Sequence, residues 1–256
     1  MTNDDKRSFE ESGSQNIIQP EQTEQTEQTE GTNSEQPLLS AKVLLYVFLG
    51  IIGVFGLTMI INGYIFRYTT EIKTGYYLSI LVSNFLFLMV IIVIKIGKKL
   101  SWSNLGWNKI KFLQSFRAIL KVWGIIWLAH IIYMIIIFAM GITPPENALA
   151  ELLEKPNLLL LLANIFLIAV IAPIIEETLF RGLLFAGLRN YFGMWTAIII
   201  SAAIFSALHF ELVGFVPRFA LGIGLGHLYA KSGSIYPAMG LHSLNNLIAV
   251  LILSAV

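Results

Sequence analysis

The chain has 256 residues, 56% of them hydrophobic and only 13% charged, with a mean hydropathy of +0.72. Soluble domains carry about 25% charged residues, so the composition excludes a water-soluble globular protein and specifies an integral membrane protein. The absence of cysteine excludes disulfides, a thiol nucleophile and Cys-ligated zinc. A net charge of +1 conceals an asymmetry: residues 1 to 36 hold nine acidic side chains against Lys6 and Arg7, which leaves seven acidic and fifteen basic residues for the rest. That basic excess suits anionic lipid headgroups, and nothing in it points to nucleic acid.

Residues 1–38 read as a disordered tail. Glu21 to Glu30 repeats Glu-Gln-Thr three times and ends on Glu, a low-complexity polar tract with nothing to bury against its ordering entropy. Its acidic, polar start is unlike a cleavable signal, which is basic and then apolar. Residues 39–256 form the expected membrane domain, an all-α, polytopic transmembrane helical bundle of seven to eight segments.

Seven apolar segments are expected at about 41–66, 76–97, 117–140, 157–188, 195–212, 216–231 and 235–255, each near the ~20 residues that cross a bilayer. The fourth is long enough to project beyond the membrane or to break at Pro173, and the sixth is the short one. Lys95, Lys98, Lys99, Lys109, Lys111 and Arg117 crowd the loop between the second and third segments. The positive-inside rule puts that loop, and with it the N-terminus, in the cytoplasm, and Arg181 and Arg189 near the inner face.

Within the hydrophobic run Leu158 to Phe185 of the fourth segment only Glu176, Glu177 and Arg181 are charged. Ionisable residues in such a setting cost several kcal/mol unless partnered and mark a functional site. Residues four apart share a helix face, so Glu177 can pair with Arg181, while Glu176 is turned about 100° away and left free for chemistry. The fifth segment brings Phe205 and His209, and the seventh brings His242 and Asn246, each pair at i and i+4. Polar groups on three helices are cheapest when they face one another around water.

Such a cluster suits peptide-bond hydrolysis. A carboxylate can take a proton from water, a histidine can orient that water or share its proton, and a His with an Asn can donate to a developing oxyanion. One Glu and two His also suit zinc, here Glu176, His209 and His242, although no His-Glu-x-x-His helix is present. Intramembrane carboxylates equally serve proton-coupled transporters. Taken singly, His209 and Asn246 read as interhelical hydrogen-bond partners, and His130 and His227 as packing residues. Gly222 and Gly226 read as contacts for close helix approach, and Glu211 as a solvated residue near a segment end.

Glu176-Glu177-Thr-Leu-Phe-Arg181 resembles the Glu-Glu-x-x-x-Arg motif of the CPBP intramembrane proteases, the CAAX prenyl endopeptidase and bacteriocin-processing (Abi) family. Phe205-Ser-Ala-Leu-His209 resembles its second motif and His242-Ser-Leu-Asn-Asn246 its third, in the family's order and within a motif core of about 157–250. The resemblance implies a membrane endopeptidase acting on a membrane-associated peptide or protein. In bacterial relatives the implied roles are peptide maturation and bacteriocin self-immunity, with a plasma-membrane location. It implies Glu176 as the water-activating base, His209 as its partner, His242 with Asn246 as the oxyanion-binding pair, and Glu177, Arg181 and Phe205 as support. A metal-free glutamate mechanism is the favoured expectation, with divalent zinc the alternative. The competing function is a non-catalytic immunity or scaffold protein, or a transporter, that keeps the cluster for binding. Substrate identity and oligomeric state are not specified by the sequence.

Overall fold

A computed structural model describes residues 39–143 and 148–255; the tail expected at residues 1–38 lies outside them. The described residues are helical with no strand. Helices α1 (Ala41–Tyr68), α2 (Ile72–Gly97) and α3 (Phe112–Ala139) are followed by a short α4 (Ala148–Leu153). The long α5 runs over Leu158–Phe192, and α6 (Met194–Ala207), α7 (Leu212–Ser232) and α8 (Tyr236–Ser254) complete the bundle. Six of these, all but α4 and α6, are long and apolar enough to cross a membrane.

The expected seven segments are therefore found, with one exchange. The short helix is the fifth, α6 with 14 residues, whereas the sixth extends to 21 because it starts at Leu212 rather than 216. Pro217 is the physical reason the earlier start is hard to read. A proline inside a helix leaves the carbonyl four residues back without its N–H partner, here Val213 O, and the Tyr133 hydroxyl of α3 donates to it at 2.9 Å. The neighbouring helix supplies the hydrogen bond that α7 cannot.

Helix α5 does not break at Pro173. It widens instead into π-turns at Ile165–Ile171 and Thr178–Phe185, separated by an α-helical stretch Ala172–Glu177. All eight residues of the second wide stretch are buried, which makes α5 the centre of the bundle. By contrast α1, α2 and α3 present large apolar side chains outward, such as Ile52, Val93 and Ile135, as helices facing acyl chains do.

Small residues set the spacing around α5 and α7. A Cβ on Gly222 would lie 2.8 Å from the Cβ of Ala202, and one on Gly226 3.3 Å from Ile198, so α6 and α7 approach at the glycines the sequence marks for packing. A Cβ on Gly182 would lie 2.6 Å from Leu105 O, backbone that cannot swing aside. At the lysine-rich end, the 103–108 loop is tied to the turn before α8 by Ser234 Oγ donating to Asn108 O at 2.7 Å and Ile235 N donating to Gly106 O at 2.9 Å.

Candidate active site

The six-residue α-helical stretch between the two π-turns carries both glutamates, and it aims them apart. Glu177 is fully buried and accepts two hydrogen bonds on one oxygen: Arg181 Nη1 donates to Oε1 at 2.9 Å, and His242 Nδ1 donates to the same atom at 2.8 Å. Arg181 is also fully buried. Its Nη2 donates to Gly222 O at 3.2 Å, and its guanidinium lies 4.9 Å from the centre of the Phe205 ring. A buried pair is retained where its charges are compensated, and contacts from three helices partner Glu177 Oε1 and Arg181 Nη1 and Nη2, while Glu177 Oε2 and Arg181 Nε make no hydrogen bond.

The bond to Glu177 fixes Nδ1 of His242 as a donor. A carboxylate oxygen only accepts, so Nδ1 carries a proton, and Nε2 faces the other glutamate. That nitrogen lies 3.8 Å from Glu176 Oε2, and the Glu176 side chain is 24% exposed where Glu177 is closed off. One carboxylate is thus closed off and the residue before it is partly open. The sequence pairs Glu177 with Arg181, but it gives no sign that Glu177 also holds His242, because the two are 65 residues apart.

Phe205 joins the two histidines. Its ring packs edge-on against His209 at 5.1 Å between centroids and against His242 at 5.6 Å. Helix α6 ends at Ala207, not 212, so His209 belongs to the turn into α7 and not to a helix. From that turn Nδ1 donates back to Phe205 O at 2.9 Å, which leaves Nε2 exposed. Counting helical rise from the inner ends expected at 195 and 235 separates the two histidines in depth by roughly 12 Å; in the structure the turn and the returning imidazole bring both rings to one phenylalanine. The turn is held by Ser206 Oγ donating to Phe215 O at 2.6 Å and by Phe210, at φ +52°, stacked on Phe55. Glu211 is not simply solvated: it pairs with Arg218 of α7.

Asn246 lies on the His242 face of α8, and its amide donates to Ile168 O at 2.9 Å. Among the described residues no group of three His, Asp or Glu side chains is placed to share a metal ion. No step below passes through a metal. His130 packs on Trp127 and His227 on Trp195, away from the cluster.

These features define a membrane-embedded helical bundle with a carboxylate and two imidazoles gathered on a buried ion pair. Residues 158–248, which contain every residue of that cluster, match the family model described as type II CAAX prenyl endopeptidase Rce1-like, so the resemblance carried by the three motifs holds over this stretch. The match and the membrane-length helices together support a CAAX-protease-like endopeptidase of the membrane. Comparison with curated proteins and with solved structures gives no match.

Proposed function

We propose that the protein is an intramembrane endopeptidase that hydrolyses a peptide bond in a membrane-associated peptide or protein, using water activated by Glu176. The observation that carries this is the division of labour between adjacent carboxylates. Glu177 is buried and bound through Oε1 by Arg181 and His242, while Glu176 stands partly open, 3.8 Å from His242 Nε2.

In the proposed reaction Glu176 takes a proton from a water oriented by His209 Nε2, and that oxygen attacks the scissile carbonyl carbon. Charge develops on the carbonyl oxygen. His242, protonated at Nε2 with Nδ1 donating to Glu177, and the second amide N–H of Asn246 stabilise it. Collapse breaks the C–N bond, and Glu176 returns its proton to the departing amine, so the enzyme ends as it began. General-base removal contributes about 10²–10⁴-fold in such steps, and oxyanion donors in a dry site a further comparable factor.

The same proposal places the N-terminus and the lysine-rich loop in the cytoplasm of a bacterial plasma membrane, with peptide maturation or bacteriocin self-immunity as the biological setting. The test compares the protein in lipid with its Glu176→Gln variant on membrane peptides with and without a prenyl group, with product masses measured and a chelator control. Cleavage that disappears with Glu176 and survives the chelator establishes the reaction as written; loss to the chelator replaces it with metal hydrolysis. If neither protein cleaves and the variant still protects cells, a binding or immunity role takes its place.

A further inference from the structure

Two neighbouring openings at the lysine-rich end lie on the far side of α7 from the glutamates. One is a cleft of about 270 Å³ lined by Lys109, Lys111, Ser115 and Lys231. The other is a groove of about 530 Å³ between α3 and α7, with Arg117, Lys121 and Lys231 at its mouth. They share Ala118, Leu228 and Lys231, so they form one surface. Among the described residues no acidic side chain lines either.

Beyond the cations the groove turns apolar, along Val122, Ile125 and Ala129 on α3 and Ala220 and Ile223 on α7. From Arg117 to Ala129 is twelve residues, about 18 Å of helix at ~1.5 Å per residue. That is close to the ~15 Å depth of one leaflet, half the ~30 Å hydrocarbon core. At the charged end Trp195, 57% exposed, stacks on His227 with ring centres 6.2 Å apart, an amphipathic ring at the level where tryptophans meet headgroups.

Like charges held together on one wall repel unless an anion joins them, and an exposed apolar channel one leaflet deep needs an apolar occupant. A free phosphate would satisfy the first and leave the second empty; an acyl chain alone would do the reverse. From the charge and the shape we propose that this surface binds one anionic phospholipid. Its headgroup phosphate is held by Arg117, Lys121 and Lys231, and one acyl chain lies in the α3–α7 groove. The site is distinct from the hydrolytic cluster and stands whether or not the protein is a protease.

The experiment places the purified protein in phosphatidylcholine vesicles containing a rising fraction of either brominated phosphatidylglycerol or brominated phosphatidylcholine, and reads quenching of the fluorescence that Trp195→Phe removes. Quenching by brominated phosphatidylglycerol should saturate at a low mole fraction, whereas brominated phosphatidylcholine should quench in proportion to its bulk share. Replacing Arg117, Lys121 and Lys231 together by Gln should abolish the difference, each cation contributing about fivefold near an anionic surface. Ala129→Phe, which leaves every charge in place, should reduce the quenching by filling the channel. Inorganic phosphate should not displace the lipid. Equal quenching by both lipids in the unmodified protein, or a preference that survives the triple replacement, would overturn the proposal. Displacement by inorganic phosphate would replace the lipid with a free anion.

Discussion

Asn246 donates its amide N–H to Ile168 O, the one carbonyl of α5 that Pro173 deprives of a partner. In the wide stretch each N–H reaches five residues back, as Ala172 N does to Leu167 O. The next bond would run from residue 173 to Ile168 O, and proline has no N–H to make it. The third motif therefore repairs the helix that carries the first, and Tyr133 does the same for Val213 O before Pro217.

The repair can be measured by a double-mutant cycle. Asn246→Ala should cost about 1–3 kcal/mol by leaving Ile168 O unpaired. Pro173→Ala restores an N–H at the right place, so in that background the cost of Asn246→Ala should shrink. Thermal unfolding in detergent reads both; additive losses would mean that the two residues are not coupled through this carbonyl.

Breaking the buried pair should be expensive. Glu177→Ala or Arg181→Ala strands an uncompensated charge at a cost of about 3–5 kcal/mol, visible as loss of folded protein on extraction. Replacing both with apolar residues of similar size should recover much of that stability without recovering cleavage, since His242 would have lost its partner. Single variants as stable as the parent would show that Glu177 is not the structural carboxylate.

Glu176→Gln should behave in the opposite way. It removes a partly exposed carboxylate that makes no hydrogen bond to the ion pair, so stability should hold within about 0.5 kcal/mol, as for other exposed changes. Cleavage should fall by about 10²–10⁴-fold. A variant that cleaves normally would move the base to another residue.

The turn that carries His209 gives a fourth prediction. Ser206→Ala deletes the hydroxyl that donates to Phe215 O and should lower stability by about 1 kcal/mol. The larger effect should be on turnover, because a misplaced imidazole fails to orient water while the rest of the cluster stays intact. Unchanged turnover would show that the turn needs no such brace.

Gly182→Ala tests packing next to the motif. The added methyl would meet Leu105 O at 2.6 Å, and forcing extra volume into a close-packed site costs about 1–3 kcal/mol. The loss should appear in stability first, with cleavage reduced in proportion to the folded fraction.

Membrane class, helix count and the Glu177–Arg181 pair were legible because each depends on local composition or on i to i+4 spacing. The end of α6 was not, since Leu208-His209-Phe210-Glu211-Leu212 contains no glycine or proline and the chain turns there through Phe210 at positive φ. Pro173 looked like a break, and the side chains that make it and Pro217 tolerable, Asn246 and Tyr133, sit 78 and 80 residues from the carbonyls they serve. A separation of 65 residues likewise hid the bond between His242 and Glu177. Only Gly182 had a nearby signal: a glycine directly after Arg181, in a stretch otherwise made of large side chains.

The shortness of α6 bears on the membrane itself. Fourteen residues rise about 21 Å, against ~30 Å of hydrocarbon. Because α7, the other arm of the hairpin, rises about 31 Å over its 21 residues, the shortfall of roughly 9 Å belongs to α6 alone. Lipid against α6 must thin or give way to water, at a cost that grows with each added ångström of mismatch. Thick bilayers should therefore strain this one helix and lower the stability of the fold, and short-chain lipid should relieve it, with no residue of the protein altered.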